Sequence, residues 1–379
     1  MTTWHARLPR LEARPTPSRA MRIAAPLLAA CVTLLAGYLL FRSAGANASA
    51  AMHAFFIDPL ANRNGWSELL LKASPLCLIG LGLAFCYRAN VWNIGAEGQM
   101  LMGGIAASGV AIYGGDTSRM ILLPAMMLAG VLSGMAWAAI PAWLRTRFNT
   151  SEILVSLMLT YIAPQWMVYL VSGPWRDPEG MNFPLSKMFD ANALYPTFAN
   201  DWHMAFWQGT RLNASVLLTA VAVPVVWAIL KYSATGFRLS VGGMAPAAAR
   251  YAGFSAKRAT WTALLVSGGL AGLAGMGEIA GPIQQLQATW SPGYGFTAII
   301  VVFLGRLNPF GIVLGSLLMA LLYLGGESVQ LSLQLPQAIS GVFQGVLLFS
   351  LLACDVFVHY RVRWHPSTVR QTAQTHAGS

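Results

Sequence analysis

The chain has 379 residues, of which 56% are hydrophobic and 10% are charged, and its net charge is +11 at pH 7. Soluble globular proteins carry about 25% charged residues, so this composition excludes an ordinary soluble domain. The basic residues fall mostly in short loops and tails, as the positive-inside rule predicts for membrane proteins. We therefore do not assign the positive charge to nucleic-acid binding.

Apolar runs of about 20 residues, enough to cross a bilayer core of ~30 Å, recur along the chain. They predict an all-α fold, a polytopic membrane protein of about ten transmembrane helices. The candidate spans are 22–41, 68–87, 91–113, 120–143, 152–172, 213–231, 259–281, 294–305, 310–325 and 339–358. The predicted organisation is a basic cytoplasmic tail over 1–21, a transmembrane domain over 22–358 and a second cytoplasmic tail over 359–379.

The first span resembles a cleaved signal peptide, because arginines precede it and AGANASA (44–50) follows it. Its apolar run from Ile23 to Phe41 is 19 residues long, however, and signal peptides have an apolar region of about 7–15 residues. We therefore expect an uncleaved first helix.

The distribution of charge predicts the orientation. With both termini in the cytoplasm, the inner segments hold 17 of the 24 Lys and Arg residues and the outer segments hold 7. The opposite orientation would reverse this bias. The two long connections are then an outer loop over 173–212 and a cytoplasmic loop over 232–258. The helices on either side of the outer loop could form two inverted halves of about five helices each.

Within the cytoplasmic loop, the segment PAAARYA is expected to form a short helix. Pro246 suits the first helical turn and alanine has the highest helix propensity, while Gly253 is placed to end the helix. Elsewhere, Gly268 and Gly272 follow a four-residue spacing that lets helix backbones approach closely in lipid. We expect a tightly packed helix face at these two glycines.

Three polar side chains, Asn93, Glu97 and Gln99, fall near the start of the third span. An ionisable group costs ~2.5–3.5 kcal/mol at the centre of a spanning helix and is a candidate for function. A helix that starts at Asn93 would place Glu97 on the same face, with its positive end beside the carboxylate. Two interpretations stay open: the side chains line a polar path or its inner gate, or they form a buried clamp between helices. Glu278 is interpreted as a polar residue at an outer gate, and a snorkelling or paired surface group is the alternative that stays open.

The sequence contains no motif of an enzyme active site. There is no Gly-Lys dipeptide, and hence no Walker A phosphate loop, and no HExxH or GxSxG motif. The four cysteines lie in apolar runs without a CxxC pair. We expect no catalytic site, no metal site and no cofactor bound by this chain.

Four segments resemble the permease subunits of ABC importers of the branched-chain amino acid, ribose and nucleoside class. The similarity is greatest to the nucleoside permeases that work with basic-membrane-lipoprotein receptors. The segments are VWNIGAEGQMLMGG (91–104), RTRFNTSEILVSLMLTYIA (145–163), APAAARYAGF (245–254) and GYGFTAIIVVFLGRLNPFGIVLGSLL (293–318). The chain departs from the family pattern at Trp92, where phenylalanine is usual, and at Ser151 and Ala245, where asparagine is usual. At Ala245 the change removes an N-cap.

The resemblance implies that 22–358 is a transmembrane permease domain that moves a small polar solute, expected to be a nucleoside. It implies three partners: a cytoplasmic ABC ATPase that uses ATP, a second homologous permease that would form a heterodimer, and an external substrate-binding lipoprotein. The membrane would be the cytoplasmic (inner) membrane of a prokaryote. The substrate pathway would include Asn93, Glu97, Gln99 and Glu278.

The same resemblance makes 232–258 a coupling loop that contacts the ATPase through Pro246, Ala248, Arg250 and Tyr251. Two alternatives remain open. The solute could be a simple sugar of the ribose type, or the chain could be an ion-coupled secondary transporter in which Glu97 binds the ion.

Overall fold

A computed structural model of the protein describes residues 10–13, 19–336 and 338–363. The predicted tails, 1–21 and 359–379, fall largely outside these described residues. The described chain is mostly helical, as the sequence predicts. Its elements are β1 (Arg10–Ala13), α1 (Arg19–Ser43), α2 (Ala48–Phe56), α3 (Arg63–Arg88), α4 (Ala96–Tyr113), α5 (Arg119–Phe148), α6 (Glu152–Ser172), α7 (Ser215–Tyr232), α8 (Ala234–Met244), α9 (Pro246–Tyr251), α10 (Ala256–Glu278), α11 (Tyr294–Leu304), α12 (Pro309–Leu333), α13 (Ala338–His359) and β2 (Tyr360–Arg363).

Two compact units make up the chain. Unit 1 takes its residues from Met1–Ala48 and Gly341–Ser379, and unit 2 is Ser49–Ser340. In unit 1, the strands β1 and β2 pair antiparallel, with Glu12 opposite Arg361 in the register. This short sheet departs from the all-α prediction, and the opposite charges across the pair favour it.

Six helices in the described chain are long and apolar enough to cross a membrane. They are Arg63–Arg88, Arg119–Phe148, Glu152–Ser172, Ser215–Tyr232, Ala256–Ile283 and Pro309–Leu333. Three shorter apolar helices are Leu27–Ser43, Tyr294–Leu304 and Gly341–Cys354. A helical, multi-pass chain is therefore confirmed, whereas the count of ten spans and the two inverted halves stay predictions.

In unit 2, α3 and α10 lie at the centre, and most of their side chains are buried. Around them, α5, α6 and α7 bury only about a quarter of their residues within the chain and leave most of the others partly or fully exposed. Exposed apolar side chains on spanning helices are stable in contact with lipid or with another membrane protein, because neither environment requires polar groups there.

The glycine spacing predicted in α10 does mark a tightly packed face. A Cβ atom placed on Gly272 would overlap the main-chain oxygen of Gly130 in α5, and one placed on Gly268 would overlap that of Gly134. On α4, a Cβ on Gly103 would overlap the backbone of Gly272 as well. Three helices therefore meet backbone to backbone at Gly272, as small residues allow in membrane proteins.

The predicted outer loop packs against the end of α10. Ser186 donates its main-chain N–H to the Leu286 carbonyl at 2.9 Å, and Tyr195 donates to the Ala280 carbonyl at 3.0 Å. We call this end of unit 2, where α10 finishes at Glu278, the loop end. The opposite end, where α9 precedes α10, is called the α9 end.

Two parts of the helix prediction need correction. The third span does not begin at 91, because residues 91–95 are not helical and α4 begins at Ala96. The cytoplasmic loop contains α8 in addition to the short helix that was expected there. Ser233 caps the start of α8, where its hydroxyl accepts a hydrogen bond from the Gly236 N–H at 3.1 Å.

Candidate functional site

A non-helical segment, residues 91–95, joins α3 to α4 inside unit 2. Asn90, the residue just before it, has a left-handed backbone conformation, at φ 53°. Two of its main-chain N–H groups find partners on α6: Trp92 donates to the Glu152 carboxylate at 3.3 Å and Ile94 donates to the Ser156 hydroxyl at 3.2 Å. Buried backbone N–H groups need such partners, so α6 makes this break in the helix possible.

The side chain of Asn93 holds the break together. Its amide group donates to Gln99 at 2.9 Å and to the hydroxyl of Ser267 in α10 at 3.0 Å. Its oxygen accepts from the Gly95 N–H at 3.0 Å and from the Gln99 amide at 3.1 Å. Asn93 is fully buried and uses both of its donors and both acceptor positions. Asn93 and Gln99 therefore form a reciprocal pair that braces the start of α4 against α10.

Glu97 lies in the first turn of α4, so the predicted i, i+4 pairing with Asn93 on one helix face is wrong. Its carboxylate instead accepts a hydrogen bond from the Gly295 N–H of α11 at 2.6 Å. Gly293, the N-cap residue of α11, has no side chain that could fill this role. Glu97 therefore caps α11 from a different helix, and the positive end of α11 stabilises the carboxylate.

The approach of α4 to α11 is close at this point. A Cβ atom on Gly295 would overlap the backbone of Glu97, so a larger residue at 295 would separate the two helix starts. Among the described residues, Glu97 takes part in none of the ion pairs. The arrangement is a junction of two helix N-termini around one buried carboxylate.

Glu152 is a structural residue of this region that the sequence analysis did not single out. It is buried, it forms an ion pair with Arg145 of α5, and it accepts the Trp92 N–H. It thereby links the end of α5 to the non-helical segment. Ser151, in place of the family's asparagine, still caps α6, with its hydroxyl accepting from the Leu154 N–H at 3.5 Å.

Replacing Glu152 by alanine is expected to lower the free energy of unfolding by about 1–2 kcal/mol, because it leaves the partly exposed Arg145 guanidinium and the Trp92 N–H without their partner. Glu152→Gln should cost less, because the amide oxygen still accepts from Trp92. The midpoint of thermal unfolding of the purified chain measures both. Equal midpoints for wild type and Glu152→Ala would show that the pair contributes nothing.

The fourth predicted pathway residue, Glu278, lies apart from Asn93 and Gln99, at the loop end. Two ion pairs surround it. Lys72 contacts Glu327 at 2.9 Å, and Arg211 forms two hydrogen bonds with Glu68, at 2.9 and 3.0 Å. The Glu68 carboxylate raises the pKa of Arg211 above its ordinary value. This group, which we call the loop-end cluster, consists of Lys72, Glu327, Arg211, Glu68 and Glu278.

The Glu278 carboxylate differs from the others in the loop-end cluster. It is 7% exposed, and within the described residues it accepts no hydrogen bond and forms no ion pair, although the charges of Lys72 and Arg211 attract it. Tyr294, the first residue of α11, lies within electrostatic reach of both Glu278 and Glu97. The start of α11 therefore contacts Glu97 and lies near the loop-end cluster.

At the α9 end, the short helix predicted from PAAARYA is confirmed as α9, with Pro246 in its first turn. Ala245 provides no side-chain cap, as its sequence implies. The helix ends in a Schellman motif: the Phe254 N–H donates to the Ala249 carbonyl at 2.9 Å and Gly253 adopts φ 78°. Tyr251 is 97% exposed and Ala248 is exposed, so α9 presents an uncovered surface.

Comparison of the sequence with known families gives a match over most of the chain. The model of a family described as "Branched-chain amino acid transport system / permease component" matches residues 65–352. The chain belongs to this family. The match covers the non-helical segment 91–95, α9 and the junction of α4 with α11, and it confirms the resemblance to ABC importer permeases that the sequence motifs carry.

Individual relatives of the permease agree with this assignment. It is 33% identical to a glucose ABC transporter permease protein of Haloferax volcanii over 93% of each chain. It is 28% identical to a guanosine ABC transporter permease protein of Bacillus subtilis, over 87% of this chain and 93% of the relative. A nucleoside ABC transporter permease protein of Lactococcus lactis is 27% identical, over 88% of this chain and 91% of the relative.

Proposed function

We propose that the permease carries a nucleoside across the membrane, along a path that passes the loop-end cluster and the start of α11. The observation that supports this proposal is the buried Glu278 carboxylate, which has hydrogen-bonding capacity to offer to a solute. Its second support is the junction at Glu97, because interrupted helices that meet within a membrane protein are a common way to build a substrate site.

The chemistry of a carboxylate suits a solute that carries adjacent hydroxyl groups. An ionised carboxylate has two acceptor oxygens and no donor, so it can accept one hydrogen bond from each of two neighbouring hydroxyls of a ribose ring. Hydrogen bonds to a charged group are worth about 1.5–3 kcal/mol each. In this proposal Glu278 contacts the solute, whereas Asn93, Glu97 and Gln99 hold the helix starts in place beside the path.

A hexose is the second candidate, because the glucose permease of Haloferax volcanii has a higher identity to the chain than the two nucleoside permeases. Both solutes present adjacent ring hydroxyls, so the proposed site does not distinguish them. Competition uptake does. Labelled nucleoside uptake by the complete transporter should be suppressed by excess unlabelled nucleosides and not by glucose or ribose. Uptake of labelled glucose that excess unlabelled glucose suppresses and excess nucleoside does not would replace the nucleoside with a hexose.

We further propose that the permease works with the partners of an ABC importer. A cytoplasmic ATPase would bind and hydrolyse ATP, a second homologous permease would complete the path, and an external lipoprotein would deliver the solute at the loop end. In this orientation both termini lie in the cytoplasm, as the positive-inside rule predicts. The membrane would be the inner membrane of a prokaryote, as the family resemblance implies. The coupling contact with the ATPase would be made by α9, through Pro246, Ala248, Arg250 and Tyr251.

Replacing Tyr251 by alanine is expected to weaken binding of the ATPase by about 30-fold, because a fully exposed aromatic side chain on an uncovered helix is typical of an interface anchor worth about 2 kcal/mol. Co-purification of the ATPase with the tagged permease measures the effect. Tyr169→Ala, which removes an exposed tyrosine of α6 close to the outer loop, is the control and should leave binding unchanged. Equal recovery of the ATPase with both variants would remove α9 from the coupling contact.

A further inference from the structure

A cavity of about 650 Å³ opens at the α9 end, between the start of α10, α8, α9 and the segment after α3. Four arginines line it: Arg145, Arg238, Arg250 and Arg258. No Asp or Glu from the described part of the chain lines it. Its wall is therefore strongly positive, and neither the transported solute nor the junction at Glu97 accounts for it.

Three of these arginines have no acidic partner among the described residues. Arg145 is paired with Glu152. Arg238 lies over the ring of Phe254, with 5.8 Å from its guanidinium carbon to the ring centroid. The guanidinium groups of Arg250 and Arg258 form no ion pair with a described residue. Arginines that only satisfy the positive-inside rule need not converge, whereas these converge on one concave site.

The chemistry of the site selects a phosphate group. Arginine presents a planar fork of N–H donors that matches the oxygens of phosphate, and several arginines together compensate for its charge. The surroundings favour a phosphate that is attached to a lipid. Exposed aromatic side chains lie beside the arginines in the chain: Phe148 follows Arg145 closely and is 59% exposed, and Phe237 precedes Arg238 and is 61% exposed.

We propose that this cavity binds the phosphate headgroup of an anionic phospholipid. The headgroup would lie between Arg238 and Arg258, which the proposed coupling contact does not use, and the acyl chains would cover neighbouring exposed apolar side chains. Basic pockets at the membrane surface of helical proteins bind anionic lipids through this combination of charge and apolar contact. Because α9 supplies part of the wall, a bound lipid would also hold α9 in position. The inference goes beyond the proposed transport function and does not depend on the solute.

The test uses the full chain purified in a neutral detergent. Short-chain phosphatidylglycerol is titrated in, with phosphatidylcholine of the same chain length as the zwitterionic control of zero net charge, and bound lipid is counted by native mass spectrometry. Arg238→Gln and Arg258→Gln should each weaken phosphatidylglycerol binding by about fivefold, since one basic residue near a membrane surface contributes about 1 kcal/mol. Lys257→Gln is the matched control, because Lys257 is exposed beside Arg258 but does not line the cavity.

The outcomes separate the sources of the anion. The proposal is supported if the wild-type chain binds phosphatidylglycerol more tightly than phosphatidylcholine. It further requires that both arginine variants weaken this binding and that Lys257→Gln leaves it unchanged. Inorganic phosphate that binds more tightly than the lipid would assign the site to a free anion and overturn it. An equal effect of all three substitutions would show that the lipid responds to the overall positive charge of this surface and not to the cavity, and would overturn the proposal. Loss of ATPase binding in the arginine variants without any lipid binding would assign it to an acidic protein segment.

Discussion

Replacing Glu278 by glutamine is expected to reduce solute uptake by the complete transporter by about tenfold to 100-fold. The reason is that glutamine replaces one acceptor oxygen of a buried carboxyl group by an amide group that only donates hydrogen bonds. A buried polar group that loses its hydrogen bond costs about 1–3 kcal/mol. Shape and volume are nearly preserved, so folding and assembly should survive. Uptake of labelled nucleoside into cells that hold equal amounts of the assembled transporter measures the effect.

The matched control is Glu179→Gln, the same chemical change at an exposed glutamate of the segment that packs at the loop end. Uptake by this variant should equal that of wild type. If Glu278→Gln also transports at the wild-type rate, Glu278 does not contact the solute. The family assignment would stand in that case, because it rests on the match over residues 65–352 rather than on this side chain.

Replacing Gly272 by alanine is expected to destabilise the fold by about 3 kcal/mol, at the upper end of the usual cost of overpacking a core. The added methyl group would overlap the Gly130 oxygen, and a main-chain atom in a packed helix cannot move aside as a side chain can. A lower midpoint of thermal unfolding and a lower yield of folded protein from membranes measure the change.

Gly277 provides a control in the same helix. A Cβ atom there would come no closer than 3.8 Å to Ser215, an ordinary contact distance. Gly277→Ala should therefore leave the midpoint unchanged or raise it slightly, because alanine favours helix over glycine by about 1 kcal/mol. Equal midpoints for Gly272→Ala and Gly277→Ala would contradict the backbone-to-backbone packing of α5 and α10.

Much of the fold could be predicted from local patterns. Long apolar runs locate spanning helices because every backbone polar group in lipid must be satisfied within the helix. Pro246 and Gly253 locate the two ends of α9, because the backbone preferences of proline and glycine do not depend on contacts with distant residues. The spacing of Gly268 and Gly272 indicated a close helix face correctly, although it gave no information on which helix would pack there.

The candidate site could be predicted only in part. The sequence brought attention to Asn93, Glu97 and Gln99, but it suggested a helix from Asn93 because helical and non-helical apolar segments look alike locally. The break depends on distant partners, because Ser156 and Glu152 accept hydrogen bonds from its N–H groups. The local sequence gives no sign of these contacts. The capping of α11 by Glu97 joins residues 198 positions apart. A contact over such a distance in the chain cannot be predicted from a single sequence.

The most direct test of the account is transport by purified components in lipid vesicles. The permease, its ATPase, the second permease and the external lipoprotein are reconstituted together, and labelled nucleoside uptake is measured with ATP and without any ion gradient. The account predicts uptake that requires ATP hydrolysis and is absent for the permease alone. Uptake by the permease alone, driven by a proton or sodium gradient, would contradict it.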